Sequence, residues 1–256
     1  LDHTNFYAEM GGQCADTGRV SNCNFEAAVN QVVNAPNKQH MLHVTEVSGT
    51  VHVGDKLYQA IDVEKRLKTQ CNHTATHILQ RALQDVVGSH VSQAGSYVDD
   101  ERLRFDFTHY EKLSDEVLNE IERRVNAEIF KGDRVDIEEM SMDEAKQKGA
   151  MALFTEKYGS VVRVVSVGDY SVELCGGCHV QRSSDIGLFR IVSEESIGSG
   201  IRRIEAVTGM QAYQSFKDTE QLLTNCQTTL KAGNVKQIGE KLTALLEEVS
   251  LLRKEN

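Results

Sequence analysis

Two clusters of nitrogen and sulphur donors stand far apart in the chain, "HTATH" at residues 73–77 and "CGGCH" at residues 175–179. A fold that uses both must bring a helix and a distant turn together. The first cluster lies in "NHTATHILQRALQDVVG", which reads as a helix with Asn72 as its N-cap and Gly88 just past its end. Residues four apart project from one helical face about a turn apart. The apolar set Ala75, Ile78, Leu79, Ala82, Leu83 and Val86 centres nearly opposite His73 and His77. The two histidines are therefore not core residues; they lie on the surface or point into a site that another segment completes.

The second cluster follows a strand pattern, and Gly176 with Gly177 lets the backbone turn sharply. Two histidines, one cysteine and one further donor suit tetrahedral zinc. For the fourth ligand, Cys175 with Cys178 makes a knuckle-like C-x-x-C pair and Cys175 with His179 a C-x-x-x-H pair; spacing slightly favours the knuckle. A redox dithiol would need the attacking cysteine at a helix start, whereas here another strand pattern resumes at "LFRIVS". A zinc protease would set Glu beside the first histidine, and position 74 is Thr. Four protein ligands close a zinc shell, the usual mark of a structural ion. Catalysis would require one ligand to give way, or zinc that organises the pocket while other groups act.

A length of 256 residues allows roughly two domains. No apolar run reaches the roughly 18 residues that span a bilayer. "LDHTNFYAEM" has neither the basic head of an export signal nor an initiator Met, so a piece of a longer polypeptide, or a processed one, is expected, in the cytoplasm. Six cysteines are too few for a disulfide scaffold of this length and should stay reduced. The net charge of −10 argues against nonspecific nucleic-acid binding. It leaves room for local basic patches at Arg102 with Arg104 and at Arg202 with Arg203.

Residues 1–66 alternate in β fashion between Gly and Asn turns, which predicts a small β-barrel or half-barrel. Residues 67–209 mix the His-bearing helix, the strand "RLRFDFTH", a helix capped by Ser114 and stopped by Gly132, a capping box at Ser141 and Glu144, and four further strands. That order predicts an α+β fold, a two-layer sandwich with helices on one side of a mostly antiparallel sheet. Residues 210–256 form a helical segment whose Ile238, Leu242, Leu245, Leu246, Val249 and Leu252 recur at helical spacing. The loop "GGQCADTG" at 11–18 is not a P-loop, and by itself reads as a tight turn.

Taken in order, "FYAEMGGQCADTG", "HTATHILQRALQDVVGSHVSQAGSYV", "RFDFTH", "GAMALFTEKYG", "VELCGGCH" and "GIRRIEAVTG" resemble the editing domain of alanyl-tRNA synthetase, over nearly the whole chain to about residue 209. Free-standing alanyl-editing proteins and the editing domain of threonyl-tRNA synthetase share parts of the pattern; "GAMALFTEKYG" and the helical tail look more like the synthetase, without its ATP-using aminoacylation half. The resemblance implies hydrolysis of the ester in tRNA(Ala) mischarged with serine or glycine, and zinc held by His73, His77, Cys175 and His179. Many family members carry Thr where this chain has Cys178, a departure that keeps the knuckle open. By similarity Thr4 would sense the serine hydroxyl, Gln93 would belong to the editing centre, and Gly11, Gly12, Gln13 and Arg203 would serve substrate binding. The partners implied are tRNA(Ala) and its mischarged forms, with no membrane and with self-association through the C-terminal helices. The competing expectation is a zinc-stabilised tRNA-binding module without hydrolytic activity.

Overall fold

The computed structural model describes residues 1, 3–36, 39–151 and 160–255. Most of the "GAMALFTEKYG" motif, residues 152–159, lies outside them. The chain divides into two units, Leu1–Met210 and Gln211–Asn256. No helix among the described residues is long and apolar enough to cross a membrane.

The first unit begins with β1 (Gly18–Asn22), β2 (Phe25–Asn34), β3 (His40–Gly49) and β4 (Tyr58–Ile61), an antiparallel sheet in the order β3-β2-β1-β4. Alternate residues of β2, Phe25, Ala27 and Val29, point to one face and pack with Val20, Phe6 and Ala8. The sheet is open rather than the expected barrel: among the described residues no ladder joins β3 to β4. The reason lies in β3, which is solvent-exposed along nearly all its length, Val44 and Val47 included, and so presents no inward face for closure.

There follow α1 (Val63–Val86), β5 (Gln93–Val98), β6 (Leu103–Thr108), α2 (Asp115–Lys131), β7 (Val135–Ser141), α3 (Met142–Gln147), β8 (Val161–Val167), β9 (Ser171–Leu174), β10 (Phe189–Gly198) and β11 (Ile201–Thr208). Two antiparallel sheets result, β10-β11-β6-β5 and β7-β8-β9. Leu103, Phe105 and Phe107 of β6 and Ile204 and Ala206 of β11 share a core with Ile78, Leu79 and Leu83 of α1 and Ile121, Val125 and Ile129 of α2. The mixed α+β layering expected from the sequence is therefore present. The Ser114 cap, the left-handed Gly132 stop and the Ser141–Glu144 capping box all form.

α1 starts a full nine residues before the expected Asn72, capped by the Asp62 side chain on the Lys65 amide. Its first turns, "VEKRLKTQ", carry no apolar stripe, so periodicity could not reveal them. Asn72 is instead a buried clamp: its side-chain amide donates to Asp99 O at 2.9 Å and accepts from Thr208 Oγ1 at 2.7 Å, tying α1 to β11. The two expected basic patches are neutralised. Arg102 pairs with Glu205 at 2.9 Å, Arg203 with Asp106 at 2.7 Å, and Arg202 with Glu194, while Arg104 lies 3.8 Å from Asp106 and over the Tyr97 ring.

The second unit contains α4 (Gly209–Thr229), from Gln211 onward, and α5 (Ile238–Glu255). On α5 the expected stripe, Leu242, Leu245, Leu246, Val249 and Leu252, is solvent-exposed.

Candidate metal centre

Helical spacing on α1 sets His73 and His77 one turn apart, with ring centroids 5.4 Å apart. β9 delivers Cys175, and the Gly176–Gly177 turn brings His179 back until its ring lies 4.4 Å from His73 and 4.7 Å from His77. The Cys175 thiol is 3.4 Å from His73 Nε2 and 3.3 Å from His179 Nε2. The four donor atoms all fall within 4.8 Å of one another. Of the two arrangements open in the sequence, the surface and the shared site, the histidines take the second.

Each imidazole turns its other nitrogen to an oxygen. His73 Nδ1 is 2.7 Å from Gln13 Oε1, His179 Nδ1 is 3.2 Å from Thr74 Oγ1, and His77 Nδ1 is 3.6 Å from Glu173 Oε2. Such outer partners orient metal-binding histidines and fix the tautomer that leaves the inner nitrogen free. The His77 Nδ1 and Glu173 Oε2 atoms are buried with no hydrogen-bond partner. A cation at the centre would draw this pair together and supply the charge that both lack.

Electrostatics point the same way. Burial, with the Arg163 charge second, pushes His73 down to about 4. Burial first, then the neighbouring histidines and Arg163, holds His77 and His179 well below the usual histidine range. All three are thus neutral ligands at pH 7. Burial pushes the Cys175 thiol up to about 12 and the Glu173 carboxyl up to about 8. A divalent ion would reverse the cysteine shift outright, because a coordinated thiol is deprotonated. Three imidazoles and one thiolate fit zinc, softer than a site for calcium or magnesium.

Cys178 stands outside the cluster. Its backbone N–H donates to Gln13 Oε1 at 2.8 Å, which fixes the turn so that Cys175 and His179, not the C-x-x-C pair, face the histidines of α1. Thr74, where a zinc protease would have its base, accepts from Val180 N at 3.2 Å and so anchors the segment just beyond the turn. Cys178→Thr is accordingly expected to retain full zinc stoichiometry and stability. A fall in zinc content on elemental analysis would put Cys178 back into the ligand set.

The glycine loop is both a tight turn and a wall of the site. Gly11 and Gly12 adopt φ of 60° and 84°, closing Met10 on Gln13 through two backbone hydrogen bonds. A Cβ at Gly12 would meet Ser96 O at 2.5 Å. That close approach lets Val98 N donate to Gly12 O at 2.8 Å and Cys14 N to Val98 O at 2.9 Å, docking the loop along β5. Above the donor cluster lies a cavity of about 270 Å³, lined by Tyr7, Met10 and Gly11, by Thr76 and the two α1 histidines, by Gln93 and Ser96, and by Arg163, Leu174 and the Cys175 turn.

Gln93 and Gly11 thus line the cavity, and Gly12 and Gln13 support it. Thr4 is not among the lining residues; its hydroxyl donates to Gln59 Oε1 at 2.8 Å and accepts from Phe6 N at 3.2 Å. Arg203 is likewise outside, its guanidinium held by Asp106. Thr76, Ser96, Glu173 and Arg163 were not expected from the sequence. Two had signals: Glu173 lies two residues before Cys175, hence on its side of the strand, and Arg163 is the lone charge in "VVRVVSV".

Residues 162–205 match the family model described as the threonyl and alanyl tRNA synthetase second additional domain, and residues 1–65 match that of the class II (A) tRNA synthetases. The chain is 55% identical over 256 residues to the alanine–tRNA ligase of Lysinibacillus sphaericus strain C3-41, covering 100% of this chain and 28% of that protein. It is 51% identical over 256 residues to the alanine–tRNA ligase of Halalkalibacterium halodurans, again covering 100% of this chain and 29% of the relative. For that of Streptococcus mutans serotype c the identity is 50% over 258 residues, with 100% and 30% covered. The chain therefore spans less than a third of the length of these relatives.

Proposed function

We propose that this chain, which corresponds over its whole length to a segment of alanine–tRNA ligases, is an editing hydrolase that releases serine or glycine from mischarged tRNA(Ala), with zinc held by His73, His77, Cys175 and His179. In a full-length ligase it would correct errors of the ATP-dependent attachment of alanine. The observation that carries the reading is the four-donor cluster at the base of a small cavity, with backbone and side-chain polar groups on its walls.

An aminoacyl ester is already activated, so modest assistance suffices: hold the carbonyl, polarise it and admit water. Bound zinc would supply Lewis acidity toward the ester or toward water. The chain's own residues do the positioning. Gln13 locks His73 and, through the Cys178 amide, the turn that carries Cys175 and His179. Gln93 offers both a donor and an acceptor at the cavity wall to orient the substrate.

Thr76 and Ser96 line the same cavity and would receive a serine side chain, Thr76 as an acceptor because its hydroxyl donates to Asn72 O at 2.9 Å. Thr4 acts at one remove, since its contacts to Gln59 and Phe6 brace the segment that presents Tyr7. A site that hydrogen-bonds a substrate hydroxyl rejects an analogue lacking it strongly, which accounts for serine over alanine; release of glycine would rest on its smaller size instead.

One observation favours a second reading: four protein donors complete a tetrahedral shell, as in structural zinc. The chain would then be a zinc-stabilised tRNA-binding module. Serine release from seryl-tRNA(Ala), measured with the zinc-loaded chain, after chelation and after zinc is restored, separates the two. The hydrolase reading expects release that is lost and regained with zinc, and slow release of alanine from alanyl-tRNA(Ala). Binding of seryl-tRNA(Ala) without release would leave only the module.

A further inference from the structure

We propose that Arg163 is the anion-binding group of the cavity and receives a phosphate of the nucleotide that bears the ester; the ligand's identity, though not the anion site itself, rests on the editing reading. Arg163 interrupts the apolar strand β8 between the buried Val162 and Val164, and it lines the cavity. A charge placed there costs desolvation and strand packing, so its position calls for a use. Its Nη1 donates to Cys175 O at 2.7 Å, which pins the guanidinium one residue's backbone from the donor cluster.

Four other arginines of this unit make the contrast, and Arg182, which like Arg163 donates to a backbone carbonyl, is not among the residues that line the cavity. Arg66 is bound to Asp16, Arg102 to Glu205, Arg202 to Glu194 and Arg203 to Asp106. Among the described residues no carboxylate pairs with Arg163, and its other N–H groups make no hydrogen bond. A guanidinium has five donors in a rigid fork that matches the two free oxygens of a phosphate. The ester carbonyl is neutral in the bound substrate and offers no such match.

The rest of the chain sharpens the need. Its net charge of −10 repels a polyanion, and its sheet arginines are already neutralised. A terminal nucleotide carries its ester and its 5′-phosphate on a single ribose. One unpaired cation beside the metal cluster therefore lies within a sugar's span of the reacting group, and would set which way the nucleotide enters.

The test uses two probes that differ only in the phosphate, AMP and adenosine, titrated by NMR into the zinc-loaded chain and its Arg163→Gln and Arg163→Lys variants. The parent is expected to bind AMP about tenfold more tightly than adenosine, as suits one charge-assisted fork. That preference should shrink as salt is raised, vanish in Arg163→Gln, and survive in part in Arg163→Lys. Zinc content should be the same in all three. Equal binding of the two probes by the parent, or an undiminished preference in Arg163→Gln, would overturn the proposal. So would loss of zinc from both variants, which would make Arg163 a prop for the Cys175 carbonyl. No probe is hydrolysed, so a preference for AMP in a chain that fails to release serine would sink the editing reading and leave the anion site standing.

Discussion

Replacing Gly177 with alanine is expected to lower zinc affinity by about 100-fold, at the upper end of what outer-sphere changes cost metal sites, and to remove the proposed ester hydrolysis with it. A Cβ at this position would lie 2.0 Å from Cε1 and 2.4 Å from Nδ1 of His73, and 2.7 Å from Gln13 Oε1. Neither neighbour has room to retreat. His73 is buried on α1 and bonded to Gln13, and Gln13 is buried and tied by its backbone to Met10. The turn must therefore lift, carrying Cys175 and His179 away from the histidines of α1. Gly176→Ala is the matched control, because its Cβ would meet only Met10 Cε, the far end of a flexible side chain, at 3.0 Å. Zinc competition titrations on both variants, with far-UV circular dichroism to confirm folding, give the answer. Equal zinc affinity in the two would mean that the turn does not carry the ligands as described.

The same residue shows why some of the site was legible in sequence and some was not. Spacing identified His73, His77 and the CGGCH turn, because donor types and helical periodicity are local properties. It could not choose between Cys178 and His179, since the choice depends on Gln13, whose side chain arrives from a loop 165 residues away and holds the Cys178 amide. Periodicity likewise described α1 only where the helix has an apolar stripe and missed the polar turns from Val63, where the signal was the Asp62 cap. The arginine pairs looked like basic patches because cross-strand register, which sets Arg203 opposite Asp106, is not written in either strand alone. Alternation gave the strands of the first sheet but not its closure, which an exposed β3 prevents. What is local was readable; what depends on which segments meet was not.

Acidification should reveal the burial of the three histidines in the metal-free chain. The folded state holds His73 down at about 4, whereas an unfolded histidine titrates near 6.5. Above pH 6.5 both states are neutral there and nothing is lost. As pH falls below 6.5 the unfolded state takes up a proton that the folded state refuses, so stability declines until the folded value is reached. For His73 the loss amounts to about 3 kcal/mol. His77 and His179 are shifted in the same direction. Glu173 works in the opposite sense, because its carboxyl is held at about 8 and the folded state keeps that proton while the unfolded state gives it up. The rise of Glu173, from 4.5 to about 8, exceeds the fall of His73, from 6.5 to about 4, so the net decline needs all three histidines together and sets in below the pH at which the unfolded histidines charge. The chelated protein is therefore expected to melt a few degrees lower at pH 5 than at pH 6. Thermal unfolding of the chelated protein at pH 7.5, 6 and 5, beside the zinc-loaded protein, measures it. The proposed zinc would bind only the folded arrangement, so the loaded protein should melt higher at each pH. A Tm that stays level in the chelated protein between pH 6 and pH 5 would show that the histidines are not held buried and neutral, and the case for a preformed metal centre would fall with it.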